Sequence, residues 1–167
     1  MRPLSESGRA AAEKLAKSLG AVKPTAIYSS PYRRAIETVE SLARDLKLPI
    51  RTNADFRERT LGSIRDIPVE DAIAATFSDF DLTYPGGESS RSAQTRALRA
   101  IDRLRLAHPS GRIVISTHGN LLSLILHAHD RKLGFDFWRS LTLPDAFQLQ
   151  HSGPGKASFE RLTSCIT

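Results

Sequence analysis

The segment from Ile113 to Leu126, IVISTHGNLLSLIL, constrains the fold more than any other part of the chain. A run of β-branched apolar residues stops at His118, and a leucine-rich run with helical character follows. The pattern predicts a strand covered on both faces, a sharp turn at Gly119 and a helix capped by Asn120. His118 then lies at the carboxyl end of a strand beside free N–H groups of a helix, where open α/β sheets bind ligands and anions are favoured. The alternative is a core histidine satisfied by backbone carbonyl groups.

Strands and helices alternate along the rest of the chain. Apolar residues at three- and four-residue steps predict helices over residues 5–19, 30–46, 68–77, 92–107 and 135–141. β-rich runs predict strands over residues 26–28, 50–52, 146–150 and 157–162, the last two joined by a turn at 152–155. We expect Ser5 to cap the first helix and Gly20 to end it, and Ser30 to cap the second with Pro31 in its first position. The alternation predicts an α/β fold, a three-layer α/β/α sandwich with a mostly parallel sheet and an antiparallel hairpin at its C-terminal edge.

Length and composition narrow the class of protein. With 167 residues, 40% of them hydrophobic, the chain is expected to form a single domain over residues 1–167. The single cysteine, Cys165, argues against a disulfide framework, and no group of side chains has the spacing of metal ligands, so we predict no metal and no cofactor. No apolar run reaches the roughly 20 residues of a membrane span, and the N-terminus has no signal-peptide core. We therefore expect a cytoplasmic protein with no membrane partner.

The formal net charge of +6 favours an anionic partner, either a polyanion or a small anionic substrate. The basic residues are dispersed, aromatic residues make up only 7% of the chain, and no nucleic-acid-binding motif occurs. We therefore predict no nucleic-acid partner. The densest basic group lies on the helix predicted over residues 92–107, and we interpret it as a solvated face.

Three further segments carry residues that packing does not explain. Residues 29–34 follow a strand and open a helix, so Arg33 or Arg34 is able to reach the same strand-end crevice as His118 and bind phosphate or carboxylate through two parallel hydrogen bonds. Glu58 lies between two arginines, either as part of a surface ion pair or as an acid poised in a pocket. Residues 86–89, Gly-Gly-Glu-Ser, form either a plain loop or a flexible wall of the site.

Five segments, taken together and in this order, resemble the histidine phosphatase superfamily, the phosphoglycerate mutase-like fold. They are PLSESGRAAAEKLA (3–16), IYSSPYRRAIET (27–38), FRERTLG (56–62), YPGGES (84–89) and VISTHGN (114–120). The resemblance covers nearly the whole chain. It implies that Arg34, in the pattern SSPxxRAxxT, binds the phosphate, that Glu58 is the proton donor or acceptor, and that His118 contacts the phosphoryl group.

One departure from that family bears on activity. The family's nucleophile is the histidine of an R-H-G motif at the end of the first strand, and this sequence contains no such motif. We therefore expect a chain incomplete at its N-terminus, lacking the first central strand and inactive in this form. The remaining histidines are interpreted as structural or solvated; they are His108, His127, His129 and His151.

The resemblance implies a phosphomonoester hydrolase that works through a phosphohistidine. Glu58 would serve as acid and then base, while Arg34, a protonated His118 and the N–H groups near Gly119 and Asn120 would bind the phosphoryl oxygens. The expected partner is a small phosphorylated substrate or inorganic phosphate, and unpaired strand edges favour a homo-oligomer. The alternatives are a phosphoglycerate mutase, disfavoured by the short stretch 63–83, and a non-catalytic anion-binding pseudoenzyme. Substrate preference is expected to depend on pocket walls from residues 63–90.

Overall fold

The central sheet of the computed structural model, which describes residues 2–153 and 156–162, is parallel. Strands β1 (Ala26–Ser29), β2 (Ile50–Thr52) and β3 (Ile113–Ser116) lie in the order β2-β1-β3. Ile27 of β1 aligns with Ile50 on one side and with Val114 on the other. β1 and β2 lie within one residue of their predicted bounds, and β3 begins at Ile113 as predicted.

Helices cover both faces of this sheet. The described residues form α1 (Glu6–Ala21), α2 (Arg33–Leu46), α3 (Val69–Ser78), α4 (Ser90–Ala107), α5 (Gly119–His127) and α6 (Phe135–Arg139). Ile27 packs in one core cluster with residues of α1 and α2, whereas Tyr28 packs against a second cluster formed largely by α4 and α5. Because successive strand residues face opposite sides, this division confirms the predicted three-layer α/β/α sandwich.

Two helix ends differ from the predictions. The Ser5 side chain accepts a hydrogen bond from the Gly8 N–H as predicted, but α1 continues through Gly20, and the chain turns only at Lys23, whose φ is +50°. The second helix begins at Arg33 rather than at Pro31, so the prediction that Ser30 caps it is wrong. The Ser30 hydroxyl instead accepts a hydrogen bond from the Tyr32 N–H, which leaves the serine outside the helix and beside the site described below.

The C-terminal hairpin is separate from the central sheet. Strands β4 (Phe147–Gly153) and β5 (Lys156–Arg161) pair antiparallel with each other and, within the described residues, with no other strand. The predicted antiparallel hairpin is confirmed, but the prediction that it forms the edge of the central sheet is wrong. Two residues of the predicted turn, Pro154 and Gly155, and also Cys165 lie outside the described residues.

A cavity of about 1800 Å³ lies between β3 and the hairpin. Thr25 donates its N–H to the carbonyl of Arg112 on the β1 side of the sheet. Since alternate residues of a parallel strand face the same neighbour, Ile113 and Ile115 direct their backbone groups towards the cavity, where no described strand pairs with them. Side chains of both helical layers line this space, which is therefore covered on both faces.

The described residues contain neither a helix that could span a membrane nor a cluster of metal-ligating side chains. None of the described helices has the length and apolarity that crossing a bilayer requires. Within the same residues, no cluster of three histidine, cysteine, aspartate or glutamate side chains is arranged to hold a metal ion.

Candidate active site

The carboxyl ends of β1 and β3 bring the predicted site residues together. β1 leads into the turn before α2, and β3 leads into the turn before α5, so both turns lie at the same edge of the parallel sheet. Arg34, Glu58, His118, Gly119 and Asn120 all line the cavity. The structure thus assembles one crevice from segments that are far apart in sequence.

His118 is a buried residue at the N-cap of α5, with 7% of its surface exposed. Its Nε2 lies 2.7 Å from the Ser30 hydroxyl, and its ring meets the Tyr32 ring edge-on at 5.0 Å between centroids. This is not the core histidine satisfied by backbone carbonyls that we considered as an alternative. Burial, with the charges of Arg34 and Arg96, lowers the pKa of His118 to about 4. The imidazole is therefore neutral at pH 7 in the free protein, and a protonated His118 stays a prediction for the phosphate-bound site.

The structure separates the two candidate arginines. Arg33 is exposed and donates to Glu37 at 2.7 Å, four residues along the same helix. Arg34 lines the cavity, and its guanidinium lies 5.1 Å from the centroid of the Tyr32 ring, whose other contact is His118. Of the two candidates, Arg34 is consequently the one that lines the cavity.

Glu58 caps α5. Its carboxylate accepts hydrogen bonds from the backbone N–H groups of Arg59 at 2.9 Å, Leu121 at 3.0 Å and Asn120 at 3.3 Å. The prediction that Asn120 caps this helix is wrong, and the backbone N–H of Asn120 is already donated to Glu58. Burial nevertheless raises the pKa of the Glu58 carboxyl, against the opposing effect of these bonds and of the Arg34 charge.

The interpretation of Glu58 as part of a surface ion pair with a neighbouring arginine is also wrong. The nearest carboxylate to Arg57 is that of Glu88, at 3.7 Å, and Arg59 turns inward, where only 6% of it is exposed. Arg59 donates from Nε to the Asn120 side-chain oxygen at 2.8 Å and from a terminal nitrogen to the Thr76 hydroxyl at 3.0 Å. This residue was missed, because two arginines flanking an acid carry no signal of which one is buried.

Residues 86–89 form a loop that supports Glu58 and, within the described residues, they do not line the cavity. Glu88 N donates to the carbonyl of Thr60 at 2.8 Å, and Ser63 N donates to that of Pro85 at 2.9 Å, which joins this segment to the one that carries Glu58. The joint requires glycine, because a Cβ at Gly87 would lie 2.4 Å from a backbone oxygen.

The walls of the crevice also differ from the prediction. Among the described residues that line the cavity, only Glu70 comes from the 63–90 region expected to form its walls. α6 and the segment after it take that place: Trp138 Nε1 and a Leu141 methyl lie 4.0 Å and 3.8 Å from the position that a Cβ on Gly119 would occupy. Sequence patterns gave no signal for this contact.

Most of the other histidines make contacts typical of structural residues. His108 Nε2 lies 3.0 Å from a tyrosine hydroxyl of β1, and His127 is buried and stacked on Phe80. His129 meets His151 edge-on, and His151 lines the cavity from the hairpin. The candidate chemistry therefore centres on a neutral imidazole, an acid with a raised pKa and a guanidinium, a combination suited to an anionic ligand and proton transfer.

Comparisons with known proteins identify the family of the chain. The profile of the histidine phosphatase superfamily (branch 1) matches residues 2–152. Two Arabidopsis thaliana proteins are each 32% identical to the chain: phosphoglycerate mutase-like protein 4, over 71% of this chain, and metal-independent phosphoserine phosphatase, over 73%. The matched region spans 56% of the length of each of these relatives.

A solved structure has the same fold. The mycobacterial glucosyl-3-phosphoglycerate phosphatase in complex with inorganic phosphate superposes with a TM-score of 0.75 at 24% identity, covering 99% of this chain and 90% of that one. The family profile, the two relatives and this common fold confirm the resemblance inferred from the five sequence segments. The chain belongs to the histidine phosphatase superfamily (branch 1).

Proposed function

We propose that the protein is a phosphomonoester hydrolase that acts through a phosphohistidine, whose histidine lies on a strand ending in Arg-His-Gly that this sequence does not contain. The observation that carries the proposal is that one crevice contains an acid whose pKa is raised and an imidazole whose pKa is lowered. Burial raises the pKa of Glu58, which favours the protonated acid, and lowers that of His118, which favours the neutral imidazole. Arg34 supplies positive charge beside both.

The proposed reaction has two steps. A histidine nitrogen attacks phosphorus, the N–P bond forms as the bond to the leaving oxygen breaks, and protonated Glu58 gives its proton to that oxygen. Water then attacks phosphorus, ionised Glu58 takes the water proton, and the N–P bond breaks to release phosphate. Arg34 offsets the charge of the non-bridging oxygens in both steps.

His118 is proposed to bind the phosphoryl group and not to attack it. Its Nε2 is engaged with the Ser30 hydroxyl at 2.7 Å, so this nitrogen is not free to act as the nucleophile. A bound phosphate dianion favours the charged form of a nearby imidazole. Binding is therefore expected to raise the pKa of His118 and to draw a proton into the site.

The cavity between β3 and β4 supports the proposed position of the nucleophile. It is bordered by backbone groups of Ile113 and Ile115 that pair with no described strand, it is covered by helices on both faces, and it is continuous with the crevice at His118. A strand covered on both faces would need a continuous apolar run. Running parallel to β3, it would end beside Arg34 and His118, and without it the chain is proposed to bind phosphate but not to hydrolyse esters.

Phosphate binding by the chain itself tests the first half of this proposal. Inorganic phosphate or vanadate should raise the melting temperature of the wild type and of Arg33→Ala, and should not raise that of Arg34→Ala. Arg33 is the matched control because it lies on the same helical turn but outside the crevice. No shift in the wild type at millimolar anion would contradict the proposed site.

The catalytic half is tested on a chain extended at its N-terminus by a strand that ends in Arg-His-Gly. This form should acquire an acid-labile phosphohistidine and hydrolyse phosphate monoesters, and Glu58→Gln should slow the turnover. An extended, folded chain that binds phosphate without either reaction would favour the second candidate function, a non-catalytic phosphate-binding protein. That candidate is favoured by one observation, the intact crevice in a sequence without the nucleophile motif.

A further inference from the structure

The wall of the crevice beside α5 is aromatic and apolar. Trp138 of α6 is half-buried, stacks on Phe135 at 5.5 Å between ring centroids, and lines the cavity together with Leu141. Both Trp138 and Leu141 approach the position where a side chain on Gly119 would lie, at 4.0 Å and 3.8 Å. Because residue 119 is a glycine, this wall directly adjoins the first turn of α5.

Trp138 presents a polar atom as well as an apolar ring. Nε1 is the Trp138 atom nearest to the position that a Cβ on Gly119 would occupy, at 4.0 Å. Indole N–H groups that approach a ligand site combine a donor with a large flat surface, which suits a partner with one polar and one apolar side. Trp138 lines the same cavity as Arg34 and His118 and lies beside Gly119, the residue that follows His118, so the remainder of a ligand held by those two groups would lie near Trp138.

We propose that Trp138 is a specificity-determining residue that contacts the alcohol half of the phosphate ester and favours leaving groups with a ring over short, charged, acyclic ones. This inference rests on the proposed function and specifies its substrate class. A ring can pack against the indole and Leu141, whereas a short charged group would exchange its hydration for an apolar wall. Arg139, exposed at the same wall, is the group that would favour an acidic leaving group instead.

Trp138 is the single tryptophan of the chain, so its fluorescence reports on this wall directly. The probes are inorganic phosphate, phenyl phosphate and phosphoserine, titrated into the wild-type protein. Phenyl phosphate is expected to change the tryptophan emission and to bind about fivefold more tightly than inorganic phosphate, whereas phosphoserine gains nothing. In Trp138→Leu, the advantage of phenyl phosphate over inorganic phosphate should disappear, as measured by calorimetry.

Controls separate this inference from the proposed function. Arg34→Ala should abolish binding of all three probes, and Leu106→Ala, on an exposed side chain outside the cavity, should leave all three affinities unchanged. If the wild type binds none of the probes, the proposed function fails. If it binds phosphate but prefers phosphoserine, or if Trp138→Leu keeps the phenyl phosphate advantage, the role of Trp138 is refuted. Should Trp138→Leu fail to fold, Trp138→Phe must retain the preference.

Discussion

Lowering the pH should destabilise the protein through His118, by an amount that follows from its burial. The pKa of His118 is about 4 in the folded protein against 6.5 ordinarily. The folded pKa is depressed, so the unfolded chain takes up the proton first, and stability present above pH 6.5 is lost as the pH falls towards 4. Linkage gives a loss of about 2 kcal/mol between pH 7 and pH 5, and about 3 kcal/mol by pH 4.

The assay is urea unfolding of the wild type and of His118→Gln at pH 7 and pH 5. Glutamine can still hydrogen-bond to Ser30 but does not titrate, and contributions of the other histidines cancel because both proteins contain them. The wild type should lose about 2 kcal/mol more than the variant over this interval. Equal losses in the two proteins, or an NMR titration midpoint of His118 near 6.5, would refute the reasoning.

Two further predictions concern the support of the site, and both are measured as the free energy of unfolding. Gly87→Ala should cost about 3 kcal/mol, because the new Cβ would lie 2.4 Å from a backbone oxygen. Gly20→Ala, in a helix with open space around it, should instead stabilise by roughly 0.5–1 kcal/mol, and equal effects would contradict the steric argument. Glu88→Gln should cost about 3 kcal/mol, since it disrupts a two-bond ion pair with Arg96 whose side chains are only 15% and 12% exposed. Asp81→Asn, in an exposed ion pair, should cost at most about 1 kcal/mol, and a larger loss there would argue that burial is not what matters.

Local signals were sufficient for the framework of the site. The change from a β-branched run to a leucine-rich run at His118 predicted β3, the turn and α5, because strand and helix preferences depend on near neighbours. The same reasoning predicted the long α4, which the Ser89 side chain caps by accepting a hydrogen bond from Ser92 N. The turns after β1 and β3 were then expected at one edge of the sheet, because the carboxyl ends of parallel strands lie at the same edge.

The contacts that the sequence did not predict join residues far apart in the chain. Glu58 reaches the first turn of α5 across more than 60 residues, and no local pattern near Asn120 indicated that the cap would come from elsewhere. The inward turn of Arg59 depends on Asn120 and on α3. Trp138 likewise adjoins Gly119 only because α6 packs on α5. Such contacts depend on tertiary packing, which overrides local preference.

The cap that Glu58 provides for α5 ties protonation to backbone opening. Hydrogen bonds to an ionised carboxylate are stronger than those to the neutral acid, so the first turn of α5 is held more firmly when Glu58 is charged. The amide protons of Asn120 and Leu121 should therefore exchange with deuterium faster when Glu58 is protonated. Protonation of Glu58 would weaken the hydrogen bonds that hold the first turn of α5, and deprotonation would restore them. Hydrogen exchange at these two amides would therefore report the protonation state of Glu58 in the absence of substrate.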